Sequence, residues 1–458
     1  MTWLAGSLNF FAVDLSLKPL GAQYRIESLE EMRTAVTLTL LFRSLGALVF
    51  GLLAERFGRR WFLTLNMLGL GGAVLGTTFV PNYTDFLLLR GAFAFLFGGT
   101  YGIAVALALE NLPTHTRGFV SGLFQHGYYH GYILAAGIDK TLSKPLNDWR
   151  LSFYVGSGLS FLSAAICGIS PDSEAYIQLR QVARLYPNPD RPSIGRNFGR
   201  SLRGAITNHW KQTIYCIFLS TGLHSLSGIS LDSYQKFAMA NKNMSVENTG
   251  FLVLIGIGGS IVGAMIGGWM SQYLGRRITI IMMCTYAAVF VSLWILPDNF
   301  LGLAIGNFLL QFSLQGAWGE QILAKLPSAS DIGALNDNFP DGCVGVVPIH
   351  LSELSPPGCI ATFVGLTYNL GHMFSSPVPL LQLRAIDLTH YTSNDVDIYQ
   401  YDLAQGILFG IVAGLVVFIV MFGYEEHGTV LKSVGGAMAE SRSIHDLRNP
   451  HDHPEIDH

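Results

Sequence analysis

Residues 407–422 read ILFGIVAGLVVFIVMF, sixteen consecutive positions without a polar side chain. Runs of this kind recur along nearly the whole chain. At about 1.5 Å of rise per residue, roughly 20 such residues cross a bilayer's hydrocarbon core, where only a helix or a closed barrel satisfies its own backbone. The pattern predicts spans near 1–17, 34–54, 61–79, 86–109, 118–137 and 151–169, then 212–238, 249–271, 278–296, 300–319, 358–381 and 403–422. The expectation is an all-α membrane protein of twelve transmembrane helices, six to each half. Only 13% of residues are charged, about half the share in an ordinary soluble domain. Lipid is therefore the solvent for most of the surface.

Two short loops carry the same punctuation. GLLAERFGRR at Gly51–Arg60 returns as GWMSQYLGRR at Gly268–Arg277, with Arg59-Arg60 matched by Arg276-Arg277. Gly99-Thr-Tyr-Gly102 matches Gly316-Ala-Trp-Gly319 at the same offset, whereas Glu110, Pro113, Gly122 and Leu123 match Glu353, Pro356, Gly365 and Leu366 at a longer one. A duplicated unit explains both sets if the segment 320–345 is extra in the second copy, since its length equals the jump in register. The segment falls inside the tenth span and carries Glu320, Lys325, Asp331, Asp337 and Asp341, each costing roughly 2.5–3.5 kcal/mol at a bilayer centre. Two explanations stay open. The segment is a translated intron, since Gly319-Glu320-Gln321 and Val344-Gly345 can be encoded with splice-like ends, or it is a loop bulging from a split helix.

The expected organisation is a first half at 1–171, a linker at 172–211, a second half at 212–422 and a tail at 423–458. The apolar run from Met1 reaches only to about position 17, so the first span is expected to be truncated. Asp14 interrupts that run and no basic region precedes it, which argues against a cleavable signal peptide. The linker holds Arg180, Arg184, Arg191, Arg196, Arg200, Arg203 and Lys211, and by the positive-inside rule it is cytoplasmic. Both Gly-Arg-Arg turns and both termini then face the cytoplasm, and the tail is expected to be disordered. Five cysteines without paired or metal-type spacing predict neither disulfide nor metal site. No nucleotide loop or nucleophile motif is present in the sequence, so no catalysis and no cofactor are expected.

A glycine, an acid or its amide, a second glycine and two arginines between consecutive spans resemble the signature loop of the major facilitator superfamily. Glu55 occupies the family's aspartate position in the first copy, and Gln272 replaces it in the second. Within that superfamily, RSLGALVFGLLAERFGRR, ALENLPTHTRGFVSGLFQHGYYHGYILAAG, WKQTIYCIFLSTG, SQYLGRRITII and VVPIHLSELSPP resemble the fungal lactate/pyruvate:proton symporters, relatives of the sialate:proton symporters. The resemblance implies two pseudo-symmetric six-helix halves and plasma-membrane symport of short monocarboxylates (lactate, pyruvate, acetate) with protons by alternating access. It also implies conformational gating by Gly51, Glu55, Arg59, Arg60, Glu110, Arg117, Gly268, Arg276, Arg277 and Glu353. That family's seventh-span motif is only half kept: Ser227, Ser230 and Asp232 remain, while His224, Gly228, Leu231 and Lys236 replace Asn, His, Gln and Thr. Gly6 and Asn9 stand where its first span usually has aspartates. Sugar or sialate symport and a non-transporting nutrient sensor are the alternatives. A sensor usually carries a long signalling tail, and this tail is short.

The residues themselves suggest where such chemistry sits. Moving an anion through lipid needs a fixed cation, and coupling needs a group that can gain and lose a proton. Arg43 lies two helical turns before Gly51, about 12 Å along the helix, close to mid-depth. It is the expected cation, against the alternative of a permanent ion pair with Asp14. Arg90, nearer the outer end of the fourth span, is a second candidate. Asp232 and His224 are the expected proton carriers, histidine because it titrates near neutrality unaided. Gln125 and Tyr129 follow helical spacing in the fifth span, and with Ser227, Ser230 and Asn369 complete the expected substrate lining. The expected partners are a small carboxylate, a proton and the bilayer, with no nucleic acid. Gly259, Gly263 and Gly267 form a small-residue stripe expected to serve helix packing alone.

Overall fold

The computed structural model describes residues 1–26, 29–110, 124, 127–128, 130–172, 177, 207–231, 234–318, 346–356, 359–389, 391–393, 396–398 and 400–424. Within these, the first half contains α1 (Thr2–Leu15), α2 (Leu17–Tyr24), α3 (Leu29–Phe57), α4 (Arg59–Thr77), α5 (Tyr83–Glu110) and α6 (Arg150–Ile169). The described part of the fifth span is helical over 130–138 and passes through a π-helical turn, Asp139–Ser143, to Lys144–Leu146. The second half contains α7 (Trp210–Leu231), α8 (Tyr234–Ala240), α9 (Val246–Leu274), α10 (Arg276–Ile295), α11 (Phe300–Trp318), α12 (Val346–Glu353), α13 (Ile360–Ser375), α14 (Val378–Thr389) and α15 (Tyr401–Met421). This is the all-α, twelve-span architecture in two six-helix halves. Seven helices among the described residues are long and apolar enough to cross a membrane. Several other spans are broken or carry charge at their ends.

Two span ends and one connection depart most from the expectation. The first span runs past residue 17: Ser16 leaves helical geometry at φ −101°, ψ 8°, and the helix resumes to Tyr24. The eleventh breaks before Pro377, which cannot supply the N–H a continuous helix needs, and then runs on to Thr389. A two-stranded antiparallel hairpin that the apolar pattern did not signal, Tyr391–Ser393 paired with Val396–Ile398, joins α14 to α15.

The paired turns explain their own sequence. Gly58 has φ 106° and Gly275 φ 88°, backbone angles that side-chain-bearing residues avoid. In the first copy Asp172 accepts the N–H groups of Arg59 and Arg60, both at 3.2 Å, and so satisfies the start of α4. Arg60 donates to the carbonyl of Gly168 at the end of α6. In the second copy Arg277 donates to the carbonyls of Val420 at 2.9 Å and Met421 at 2.5 Å, at the end of α15. Each second arginine therefore caps the last helix of its own half, where cations are favoured.

Inside each half the tightest crossing is duplicated too. A Cβ on Gly46 would stand 1.7 Å from the carbonyl oxygen of Phe95, and one on Gly263 would stand 1.8 Å from that of Phe312. Gly259 and Gly267 meet α11 backbone in the same way, so the stripe seats α9 on α11. The two described ends of the tenth span meet α7 in order. Trp318 Nε1 donates to Ser227 Oγ at 2.9 Å, and His350 Nε2 meets the Tyr215 hydroxyl at 3.3 Å, nearer the Gly-Arg-Arg side. A continuous span would meet α7 in that order; residues 319–345 lie outside the described residues.

Candidate functional site

The halves meet where α13 packs on α3 and α5. On the Gly-Arg-Arg side the contact is backbone to backbone: a Cβ on Gly102 would stand 2.0 Å from the Ala361 carbonyl oxygen, and one on Gly51 would stand 2.7 Å from Thr362 Cα. Glu55 closes this contact. Its Oε1 accepts the Thr362 N–H at 2.8 Å and its Oε2 the Thr362 hydroxyl at 2.7 Å, which places a carboxylate at the start of α13. On this side the described residues of the two halves touch directly.

Deeper along the same interface lies a buried cation. Arg43 is 1% exposed. Its Nε donates to Asn369 Oδ1 at 3.0 Å and its Nη1 to His372 Nδ1 at 3.1 Å. Asn369 in turn donates to the carbonyls of Gly98 at 3.3 Å and Gly365 at 2.8 Å, so one amide ties α13 to both α3 and α5. The guanidinium carbon lies 4.5 Å from the centre of the Phe97 ring, 5.8 Å from Trp3 and 5.9 Å from Phe10, and the Tyr128 hydroxyl is beside it. Cation–π contacts contribute about 0.5–2 kcal/mol each, which offsets only part of the several kcal/mol that burying an ion costs. Among the described residues no carboxylate, Asp14 included, lies within salt-bridge distance of Arg43. Nη2 is buried without a hydrogen-bond partner.

His372 faces His224, their rings stacked at 4.6 Å and 14°. His224 Nδ1 lies 2.7 Å from the Ser220 carbonyl; a carbonyl only accepts, so Nδ1 carries the hydrogen and Nε2 is the free lone pair. Trp318 and Tyr368 meet the His224 ring edge-on at 4.7 and 4.8 Å, and Tyr368 stacks on Tyr101 at 3.8 Å. The arrangement is an aromatic box that holds one cation and two imidazoles at the junction of the halves. It can bind an anion at Arg43 and a proton at a ring nitrogen.

The structure thus brings Arg43, Asn369 and His224 together. Ser227 borders them through Trp318, while Ser230 sits further along α7, where it accepts from Gln311 Nε2 at 3.2 Å. Arg90 stands apart within the first half, its guanidinium carbon 4.0 Å from the Phe93 ring centre and its Nη1 and Nη2 each 3.5 Å from the Asn9 carbonyl. Asn9 commits its amide to Ala5, Gly156 and Ser160, and Gly6 packs on Phe97. Asp232, Gln125, Tyr129 and Arg117 lie outside the described residues. So do the side chains of Glu110, Glu353 and Gln272; Glu110, Glu353 and Gly268 are placed only by their helices, α5, α12 and α9. Arg276 donates to Ser271 Oγ at 2.7 Å. The sequence reading missed His372, Tyr368 and Trp318. The available signal was a histidine one helical turn after Asn369, on the same face.

Comparison with known proteins agrees with this architecture. Residues 2–329 match the family described as Major Facilitator Superfamily. A carboxylic acid transporter protein homolog of Saccharomyces cerevisiae is 26% identical over 444 residues, covering 94% of this chain and 68% of that protein. A cis,cis-muconate transport protein of Acinetobacter baylyi is 24% identical over 367 residues, 78% of this chain and 86% of the relative. Among solved structures, a double-tryptophan mutant of XylE superimposes with TM-score 0.65 at 15% identity over 94% of this chain and 96% of its own. The proton:xylose symporter XylE bound to 6-bromo-6-deoxy-D-glucose gives 0.63 with the same coverage. At that identity the likeness is one of fold.

Proposed function

We infer that this chain, which belongs to the major facilitator superfamily, is a secondary transporter that carries short monocarboxylates such as lactate, pyruvate and acetate together with protons. The observation that carries the reading is Arg43: a fully buried cation at the junction of the halves, without a carboxylate partner among the described residues and with one nitrogen unused. Such a charge is costly in lipid unless it faces a ligand or a polar cavity. An arginine offers a carboxylate two parallel N–H groups, stronger than neutral hydrogen bonds. The relatives named for carboxylic acid and muconate transport support an anionic cargo.

In this reading Arg43 and Asn369 hold the substrate, Ser227, Ser230, Gln125 and Tyr129 line its path, and Arg90 attracts it from the outer side. His224 and Asp232 serve the proton. The chain sits in the plasma membrane with both termini and the Gly-Arg-Arg turns in the cytoplasm. The Glu55–Thr362 contact then marks a state closed to the cytoplasm, and the other gating residues hold or release it. Uptake of labelled lactate, pyruvate and acetate by intact cells at two external pH values tests the proposal. Accumulation that collapses with the pH gradient and is lost in Arg43→Ala supports it; binding without accumulation makes the protein a sensor instead.

A further inference from the structure

Resting on the carboxylate reading above, we propose that His372, stacked on His224, takes the co-transported proton when a carboxylate occupies the Nη1–Nη2 edge of Arg43. The geometry at that edge is specific. Nε is committed to Asn369, Nη1 donates to His372 Nδ1 at 3.1 Å, and Nη2 is buried without a hydrogen-bond partner. Because a guanidinium has only hydrogens to give, Nδ1 of His372 must be the accepting nitrogen, with its proton on Nε2. With Nδ1 accepting, His372 is neutral beside a positive Arg43.

A carboxylate bound in the fork of Nη1 and Nη2 brings negative charge to the same side as Nδ1. A bare lone pair facing that anion is repelled, whereas an N–H there donates to it. The ring accordingly takes a proton from hydronium at Nδ1 as the anion arrives: one N–H bond forms, one hydronium O–H bond breaks, a water is left, and no bond of the substrate changes. Anion and proton each strengthen the other's binding by the same factor, since linkage is reciprocal. Without the anion, Arg43 favours the neutral ring, and an unloaded carrier returns without a proton. Strict coupling follows from one competition around one guanidinium.

His224 limits the number of protons. At 4.6 Å and nearly parallel, two protonated rings beside Arg43 would repel each other, so the pair holds one. His224 Nδ1 is held by the Ser220 carbonyl, and its ring stands behind His372 as seen from Arg43. The other titratable groups around the pair are Arg43 from α3, Tyr101 from α5, Tyr128 from the fifth span and Tyr368 from α13. Among the described residues no carboxylate faces it.

The test is equilibrium binding of lactate, pyruvate and acetate to the purified full chain, read from tryptophan fluorescence between about pH 6 and about pH 8, where carboxylic acids of this class are ionised. One coupled proton makes the apparent affinity fall about tenfold per pH unit on the alkaline limb. His372→Gln, whose amide oxygen still accepts from Arg43, is expected to bind with a flat pH profile. In proteoliposomes it should exchange labelled lactate without the accompanying proton flux that acidifies the lumen in the wild-type protein. His372→Asn should repeat this. A pH-independent affinity in the wild-type protein, or a slope that survives in both His372 variants, overturns the assignment. Failure of the wild-type protein to bind any of the three acids overturns the carboxylate reading itself.

Discussion

Glu55 grips a single residue of the opposite half, Thr362, with both carboxylate oxygens, at 2.8 Å to its N–H and 2.7 Å to its hydroxyl. Glu55 lies just past the predicted second span. Burial pushes its carboxyl up from 4.5 to about 7, against the lowering effect of the two Thr362 bonds and of Arg59. A raised value means that the closed contact holds the proton more firmly than an exposed carboxyl does. Its pH-dependent stabilisation is fully present below pH 4.5 and is lost as pH rises through about 7. Acidification should therefore favour the closed Gly-Arg-Arg side, and Glu55→Gln should remove that dependence. Spin-label distances across this side, measured on both sides of neutrality, report the population.

Removing the cation should hurt binding more than folding. Arg43→Gln keeps a donor but loses the charge and the fork, and carboxylate affinity is expected to fall about 100-fold or more, equivalent to about 3 kcal/mol. Arg43→Lys should recover only part of this, because a single ammonium does not reproduce the planar pair. Titration of lactate against the purified variants measures both. Wild-type affinity in Arg43→Gln would remove this residue from the site.

Two glycine contacts separate folding from movement. Gly46 abuts Phe95 inside one half, where a side chain would meet backbone at 1.7 Å; Gly46→Leu should cost well over about 3 kcal/mol or abolish folding. Gly102 abuts Ala361 across the interface at 2.0 Å. Gly102→Leu should leave each half folded and hold the Gly-Arg-Arg side apart, so that ligand still binds while transport stops. Gly72 has open space around its Cβ position, and Gly72→Ala should be neutral or raise stability by up to about 1 kcal/mol. Thermal unfolding in detergent and cysteine labelling of the Gly-Arg-Arg side distinguish the three.

Residues 320–345 invite a deletion. Trp318 and His350 already meet α7 in the order of one continuous helix, so joining Gly319 to Val346 is expected to give a protein at least as stable as the full chain, with uptake retained. Equal expression with lost uptake would make the segment a working part.

The architecture was legible because it is written locally: apolar run length gives the spans, and two copies of one loop at a fixed offset give the halves. Arg43 was legible from its depth on a helix. His372 was not. A lone histidine in an apolar helix has no periodic signature, and its partner is 329 positions away, so only the packing of one half on the other joins them. The same holds for Tyr368 and Trp318, which look like ordinary membrane-helix aromatics until His224 is seen between them. The break before Pro377 was signalled by the proline itself, but the apolar content on both sides masked where the helix resumes. The hairpin after Thr389 is too short for its alternation to stand out.

Gly46 and Phe95 cross in the first half as Gly263 and Phe312 do in the second, and both members of the pair keep the offset that separates the two Gly-Arg-Arg turns. The same backbone crossing therefore belongs to the repeated unit itself rather than to either half. Arg43 has no such twin: the position that answers to it at the same offset is Ser260. The frame is written in duplicate, and the buried charge in one copy alone.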